Sequence, residues 1–196
     1  ANITNQFEQQ HAIPETDCYR ISRIYHHYEG AGKAVDTTAL TAANVLGVFD
    51  QMMTRMDDAE VPLTGRILYV NPSTYRLIKN AESIQRQLEV SGKKGEIDRN
   101  VRTLDDVKIV VMPSSRMMSR YDFTDGCKPH ATAMQINMLL VHPSAVIAVN
   151  KHSYIKLWPE GSHTMGDGYL YQNRQYFDAF VIQDKVSGIE INVLDE

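Results

Sequence analysis

Apolar residues recur along this chain first at helical spacing and later in alternation, and the change of rhythm outlines its organisation. From Pro14 to Tyr28, Cys18, Ile21, Tyr25 and Tyr28 return every three or four residues, as one face of a helix does. Arg20, Arg23 and His27 lie off that stripe. Pro14 suits a first turn, Glu15 and Asp17 suit the positive end of the helix, and Gly30 can end it. Residues 1–12 are polar and read as a poorly ordered lead-in. A second helix is expected from Thr38 or Thr41 to Asp57. There Val45, Val48, Phe49, Met52, Met53 and Met56 form a broad apolar face, read as core rather than as a binding groove.

Ile67–Val70 is apolar throughout, which fits a strand covered on both faces. Asn71-Pro72-Ser73 stops it, with Asn71 as cap and Pro72 as first residue of a short helix whose inner side is Tyr75, Ile78 and Leu77. Ser83 to Asn100, with Ser91-Gly92-Lys93-Lys94-Gly95, reads as an exposed loop. Strands are expected at Val107–Met112 and Ile136–Val141, each stopped by a proline turn, and 121–131 reads as loop. Ala145–Val149 is left open between strand and short helix. Beyond residue 150 the pattern alternates: Tyr154–Trp158, Tyr169–Tyr171 and Ile189–Val193 read as half-exposed antiparallel strands, with Phe177–Ile182 mostly apolar. The fold class is therefore α+β, a mixed centre with a β-rich tail.

Composition narrows the function. The formal charge of −4, from 20 Lys and Arg against 24 Asp and Glu, argues against a dedicated nucleic-acid-binding domain. No apolar run approaches the ~20 residues of a membrane span. Cys18 and Cys127 are far apart in dissimilar contexts and read as incidental reduced thiols. Candidate chemistry is sparse. His26 and His27 are adjacent and diverge by about 100° on a helix. His163, Asp167 and Asp178 are the best remaining set for a metal- or ligand-binding enzyme, without a recognised ligand spacing. No GxSxG, phosphate loop or dinucleotide fingerprint is present. Neither a catalytic residue nor a cofactor is expected.

The order of short motifs is similar to that of the major capsid proteins of tailed bacteriophages, the family with the HK97-type fold. Ile13-Pro14-Glu15-Thr16-Asp17-Cys18-Tyr19-Arg20 resembles the entry to that family's spine helix, and Thr41 to Leu46 the start of its first axial helix. Val61-Pro62, Gly65-Arg66 and Tyr69 to Tyr75 resemble the segment that follows. Met112-Pro113-Ser114-Ser115-Arg116-Met117, Leu140 to Val146, Tyr176 to Val181 and Gly188-Ile189 resemble later ones. Asp106 stands where the family often has glycine. The family's N-terminal arm and extended loop have no counterpart before Pro14, so the chain is expected to be the C-terminal portion of such a protein.

The resemblance implies a peripheral domain from residues 1–35 and 150–196, and an axial domain from 36–149. It implies a structural subunit of a phage or prophage that self-assembles as hexamers and pentamers into an icosahedral shell. That shell would enclose double-stranded DNA, and scaffolding protein and portal would be partners of the full-length protein. Synthesis is expected in the bacterial cytoplasm, final location in the virion, with no membrane partner. Loop 91–100 would lie near a symmetry axis or a neighbour, and Arg20, Arg23 and Arg66 are the expected intersubunit ionic contacts. An encapsulin-like compartment is the alternative within the same class.

Overall fold

A computed structural model of the chain describes residues 2–82, 84 and 101–194. Its centre is a five-stranded sheet in the order β2-β3-β1-β6-β9. The strands are β1 (Ile67–Val70), β2 (Thr103–Leu104), β3 (Val107–Val111), β6 (Gln135–Val141) and β9 (Ile189–Leu194). β1 runs parallel to β3 and antiparallel to β6, and β6 runs antiparallel to β9. Between β3 and β6 a small arm carries the two-residue pair β4 (Tyr121–Asp122) and β5 (Lys128–Pro129). The loop expected over 83–100 falls, apart from Ile84, outside the described residues.

Helices cover both faces of the sheet. On one lie α3 (Val45–Asp58) and α4 (Pro72–Asn80), with Val48, Phe49, Met52, Met56 and Ile78 packed on Leu68, Val70, Val107, Met138 and Leu140. On the other lies α2 (Ile13–Gly30), with Ile21, Ile24, Tyr25 and Tyr28 packed on Ile136, Leu139, Val141, Ile189 and Ile191. Side chains in a strand alternate between faces, so Ile136 and Leu139 share a face because a bulge lies between Ile136 and Met138. As expected, Asn71 caps α4, its side-chain Oδ1 accepting the Thr74 N–H at 2.7 Å.

Three expectations are corrected. The second helix begins at Val45 and not at Thr38 or Thr41. Residues 2–12 are helical: α1 (Asn2–Phe7) and a π-helical turn (Glu8–Ala12) run directly into α2. Their polar sequence is held by tertiary contact, since the Glu8 carboxylate accepts hydrogen bonds from Tyr171 and Asn173. Strand β9 is not half-exposed, for Glu190 and Asn192 are buried like their apolar neighbours. Glu190 accepts from Arg55 at 2.7 Å, while Asn192 donates to the Thr38 carbonyl and accepts from Asn137. Alternation here marks a buried polar network, not a wet face.

The turn between β2 and β3 holds Asp105 and Asp106 at φ of 46° and 64°. That is the left-handed conformation of a two-residue hairpin turn, where glycine carries no Cβ penalty. Asp106→Gly is expected to stabilise the protein by about 0.5–1 kcal/mol, read as a higher urea midpoint at unchanged slope.

Candidate assembly surface

After β6 the chain leaves the sheet as a long ribbon. β7 (Val146–Trp158) and β8 (Leu170–Val181) pair antiparallel along their whole length, from Val146 opposite Val181 to Trp158 opposite Leu170. Ala145–Val149, left open by sequence, is the root of β7. A bulge between Asn150 and His152 switches the alternation partway. Val146, Ala148 and Asn150 therefore share a face with Ser153, Ile155 and Leu157.

One flank of the ribbon is held by the N-terminal helix. Tyr19 stacks edge-on against Phe177 at 5.4 Å between centroids and donates its hydroxyl to Asp178 at 3.0 Å. Arg23 lies 3.7 Å from the same carboxylate. Further out, Phe7 meets Tyr171 edge-on at 5.5 Å. The Ala179 amide, then Tyr19 and Arg23, hold the Asp178 carboxyl below the usual range. Burial, then the neighbouring charges of Arg23 and His26, push the His27 imidazole down.

The rest of the ribbon is uncovered. Ile147 and Phe180 face one another across the strands and are 46 % and 44 % exposed, with Val149 next on the same face. Along that face His152 lies opposite Tyr176, and the rings of His152 and Tyr154 are parallel within 7°. On the reverse face Ile155 and Leu157 are exposed, and Met165 and Tyr169 are exposed in the tip loop. An isolated two-stranded ribbon is marginal in water, and contiguous exposed apolar side chains mark contact surfaces.

Arg20 stands at the rim of a groove of about 280 Å³ between α2, the sheet and the ribbon root, floored by Ile21, Tyr69, Val141 and Ala179. Its Nε is buried and finds no hydrogen-bond partner among the described residues, and the same holds for Arg23 Nε. Arg66 lies elsewhere and is buried. It donates to the carbonyls of Pro62 and Val61 and pairs with Asp57 at 2.7 Å, so its donors are used within the chain. His163 turns onto the Gly168 carbonyl in the tip loop that also holds Asp167, whereas Asp178 sits near the root, so the three enzyme candidates are not all brought together. Among the described residues, no three His, Cys, Asp or Glu side chains form a group that could hold a metal ion. No helix among them is long and apolar enough to cross a membrane.

Sequence reasoning missed Tyr19, Phe177 and Asp178 as the joint between helix and ribbon. Tyr19 lies off the apolar stripe of α2, and its partners are nearly the whole chain away. Arg66→Met keeps the volume but strands two carbonyl acceptors. It is expected to cost about 2–4 kcal/mol, measured as a loss of unfolding free energy in urea.

No family model matches the chain, and no curated protein matches it in sequence. Solved structures do match. The fold is similar to one titled "Asymmetric unit of bacteriophage PhiM1 mature capsid", with a TM-score of 0.63 and 16 % identity over 92 % of this chain. A structure titled "Mycobacterium phage Che8" matches with a TM-score of 0.61 and 13 % identity over 91 %. "Capsid structure of the Cyanophage P-SCSP1u" matches with 0.57 and 13 % over 81 %. The chain spans 60 %, 58 % and 48 % of those three chains respectively. This mixed helix-and-strand fold is thus similar to phage capsid structures.

Proposed function

We propose that this chain belongs to a structural virion protein, a major capsid subunit that repeats itself in an icosahedral shell around double-stranded DNA. The observation that carries the reading is the β7–β8 ribbon, which exposes apolar side chains on both faces in a fold similar to phage capsid structures. A neighbouring copy seated on the Ile147–Phe180 face would bury the part of both side chains still exposed, about half of each, contributing roughly 1 kcal/mol each. Contacts of that heterologous kind close into rings, here hexamers and pentamers.

In this reading the HK97-type division places residues 1–35 with 150–196 as the peripheral domain and 36–149 as the axial domain. The packing of α2 along β8 supports grouping the helix with the ribbon, while β9 beside β6 means that the two domains share a sheet. Arg20 lines the groove beside the ribbon root and Arg23 is about a third exposed beside Asp178; an acidic group of a neighbour is the partner proposed for their terminal guanidinium nitrogens. Arg66 enters only through the 61–66 segment that it anchors. The protein works by its surfaces and not by catalysis. It would be made in the bacterial cytoplasm and end in the virion, with scaffolding protein, portal and packaged DNA as partners of the full-length protein.

The test is sedimentation of the full-length parent protein beside the variant Ile147→Asp/Phe180→Asp. The parent is expected to pellet as large closed particles. The variant should remain as small oligomers or monomer, with circular dichroism and thermal midpoint close to the parent's. A variant that assembles as well as the parent removes the ribbon from the contact. A parent that never forms large particles removes the shell reading.

A further inference from the structure

The uncovered face of the ribbon changes character along its length. At the root it is apolar, with Ile147, Val149 and Phe180 exposed. Beyond the bulge the same face carries aromatic and cationic side chains. Tyr154 lies opposite Arg174, Lys156 lies opposite Gln172, and the Lys156 ammonium sits 3.4 Å from the centre of the Trp158 ring. Tyr154, Lys156, Arg174 and Tyr176 are all exposed. The acidic residue of the two strands, Asp178, is held at the root by Tyr19 and Arg23. Among the described residues, neither Lys156 nor Arg174 has an ion-pair partner. The distal half is therefore positive in a chain whose formal charge is −4.

A surface of complementary kind lies elsewhere on the chain. The turn after α3, from Asp58 to Leu63, presents two carboxylates and then an apolar side chain. Leu63 is 65 % exposed, more than any large apolar side chain of the described residues outside the ribbon and its tip loop. Asp58 and Glu60 are exposed and, among the described residues, without ion-pair partners. Glu60 is held at a φ of 57°, a helix-end conformation that favours glycine, so a carboxylate stands where it costs backbone energy. The turn is also stiff. The amides of Glu60 and Val61 donate to the carbonyls of Asp57 and Met56, and buried Arg66 donates to those of Val61 and Pro62. The His142 ring, donating to the Thr64 carbonyl at 3.2 Å, ties it to the chain just before the ribbon.

We infer that the distal face of the ribbon docks on the 58–63 turn of a second copy, Lys156 and Arg174 meeting Asp58 and Glu60 while Leu63 lies against Tyr154 and Tyr176. This docking rests on the shell reading and names the surface that a neighbour brings to the ribbon. One copy cannot make the contact with itself. The turn is tied to the ribbon's root, whereas Tyr154 and Arg174 lie eight residues out along β7, about 25 Å at the rise of a strand. Two unlike patches that far apart on one copy give a heterologous contact, the kind that closes into rings. The apolar root then supplies area, and the charged end supplies register, because a shifted neighbour loses the opposite charges.

The test is a charge exchange in the full-length parent protein. Lys156→Glu/Arg174→Glu and, separately, Asp58→Lys/Glu60→Lys are expected to raise the protein concentration needed for large particles by about tenfold or more. Every substituted side chain is exposed, so circular dichroism and thermal midpoint should stay close to the parent's. The four substitutions together should bring assembly back near the parent's concentration. In parent particles, a zero-length carbodiimide cross-link should join a peptide containing Lys156 to one containing Asp58 or Glu60. Parent particles whose formation neither charge reversal disturbs would overturn the docking and leave the shell reading standing. A combined variant that assembles no better than either half would do the same. A parent protein that forms no large particles would overturn both.

Discussion

Helix α2 is shared between two surfaces that would not otherwise meet, and the rest of the architecture depends on that sharing. Its stripe of Ile21, Ile24, Tyr25 and Tyr28 is buried on the sheet. Tyr19 and Arg23, on the adjoining side, take hold of Asp178 in the ribbon. Neither contact is large by itself. The ion pair is about a third exposed and contributes little. The apolar stripe gives the energy and the polar joint gives the angle. A ribbon too thin to have a core of its own is thereby held in one orientation, with its remaining faces turned outward.

Legibility in the sequence followed how local each determinant was. β1 and α4 were readable because Asn71 and Pro72 act through their own backbone, with a cap and a missing N–H, and need no distant partner. The apolar stripes of α2 and α3 were readable from their period. β7 was not, because the bulge after Asn150 inverts the alternation and makes one strand look like two unrelated fragments. β9 was misread as half-exposed because Glu190 and Asn192 look like solvent-facing residues until Arg55, Thr38 and Asn137 are seen to satisfy them. The helical path of residues 2–12 depends on Glu8 finding Tyr171 and Asn173 in the ribbon, which no local pattern carries. The candidate surface was the least legible part. Exposure of Ile147, Val149 and Phe180 depends on what the fold leaves uncovered, and the pairing that makes them a patch is a property of register.

Two independent observations converge. One is the similarity of the fold to capsid structures at 13–16 % identity, where shape persists although sequence does not. The other is the apolar ribbon, which asks for a covering partner on physical grounds alone. The proposed repeating shell would answer both, since each copy would supply the cover that its neighbour lacks.

Electron cryomicroscopy of particles made by the full-length parent protein tests this most directly. The account predicts a closed wall in which this sheet, with α2 and the β7–β8 ribbon, is repeated in pentamers and hexamers, the Ile147–Phe180 face lying against a neighbouring copy. A wall in which that face meets only solvent would contradict the role given to the ribbon. A parent protein that stays a folded monomer or dimer when expressed with its neighbouring genes would contradict the account as a whole.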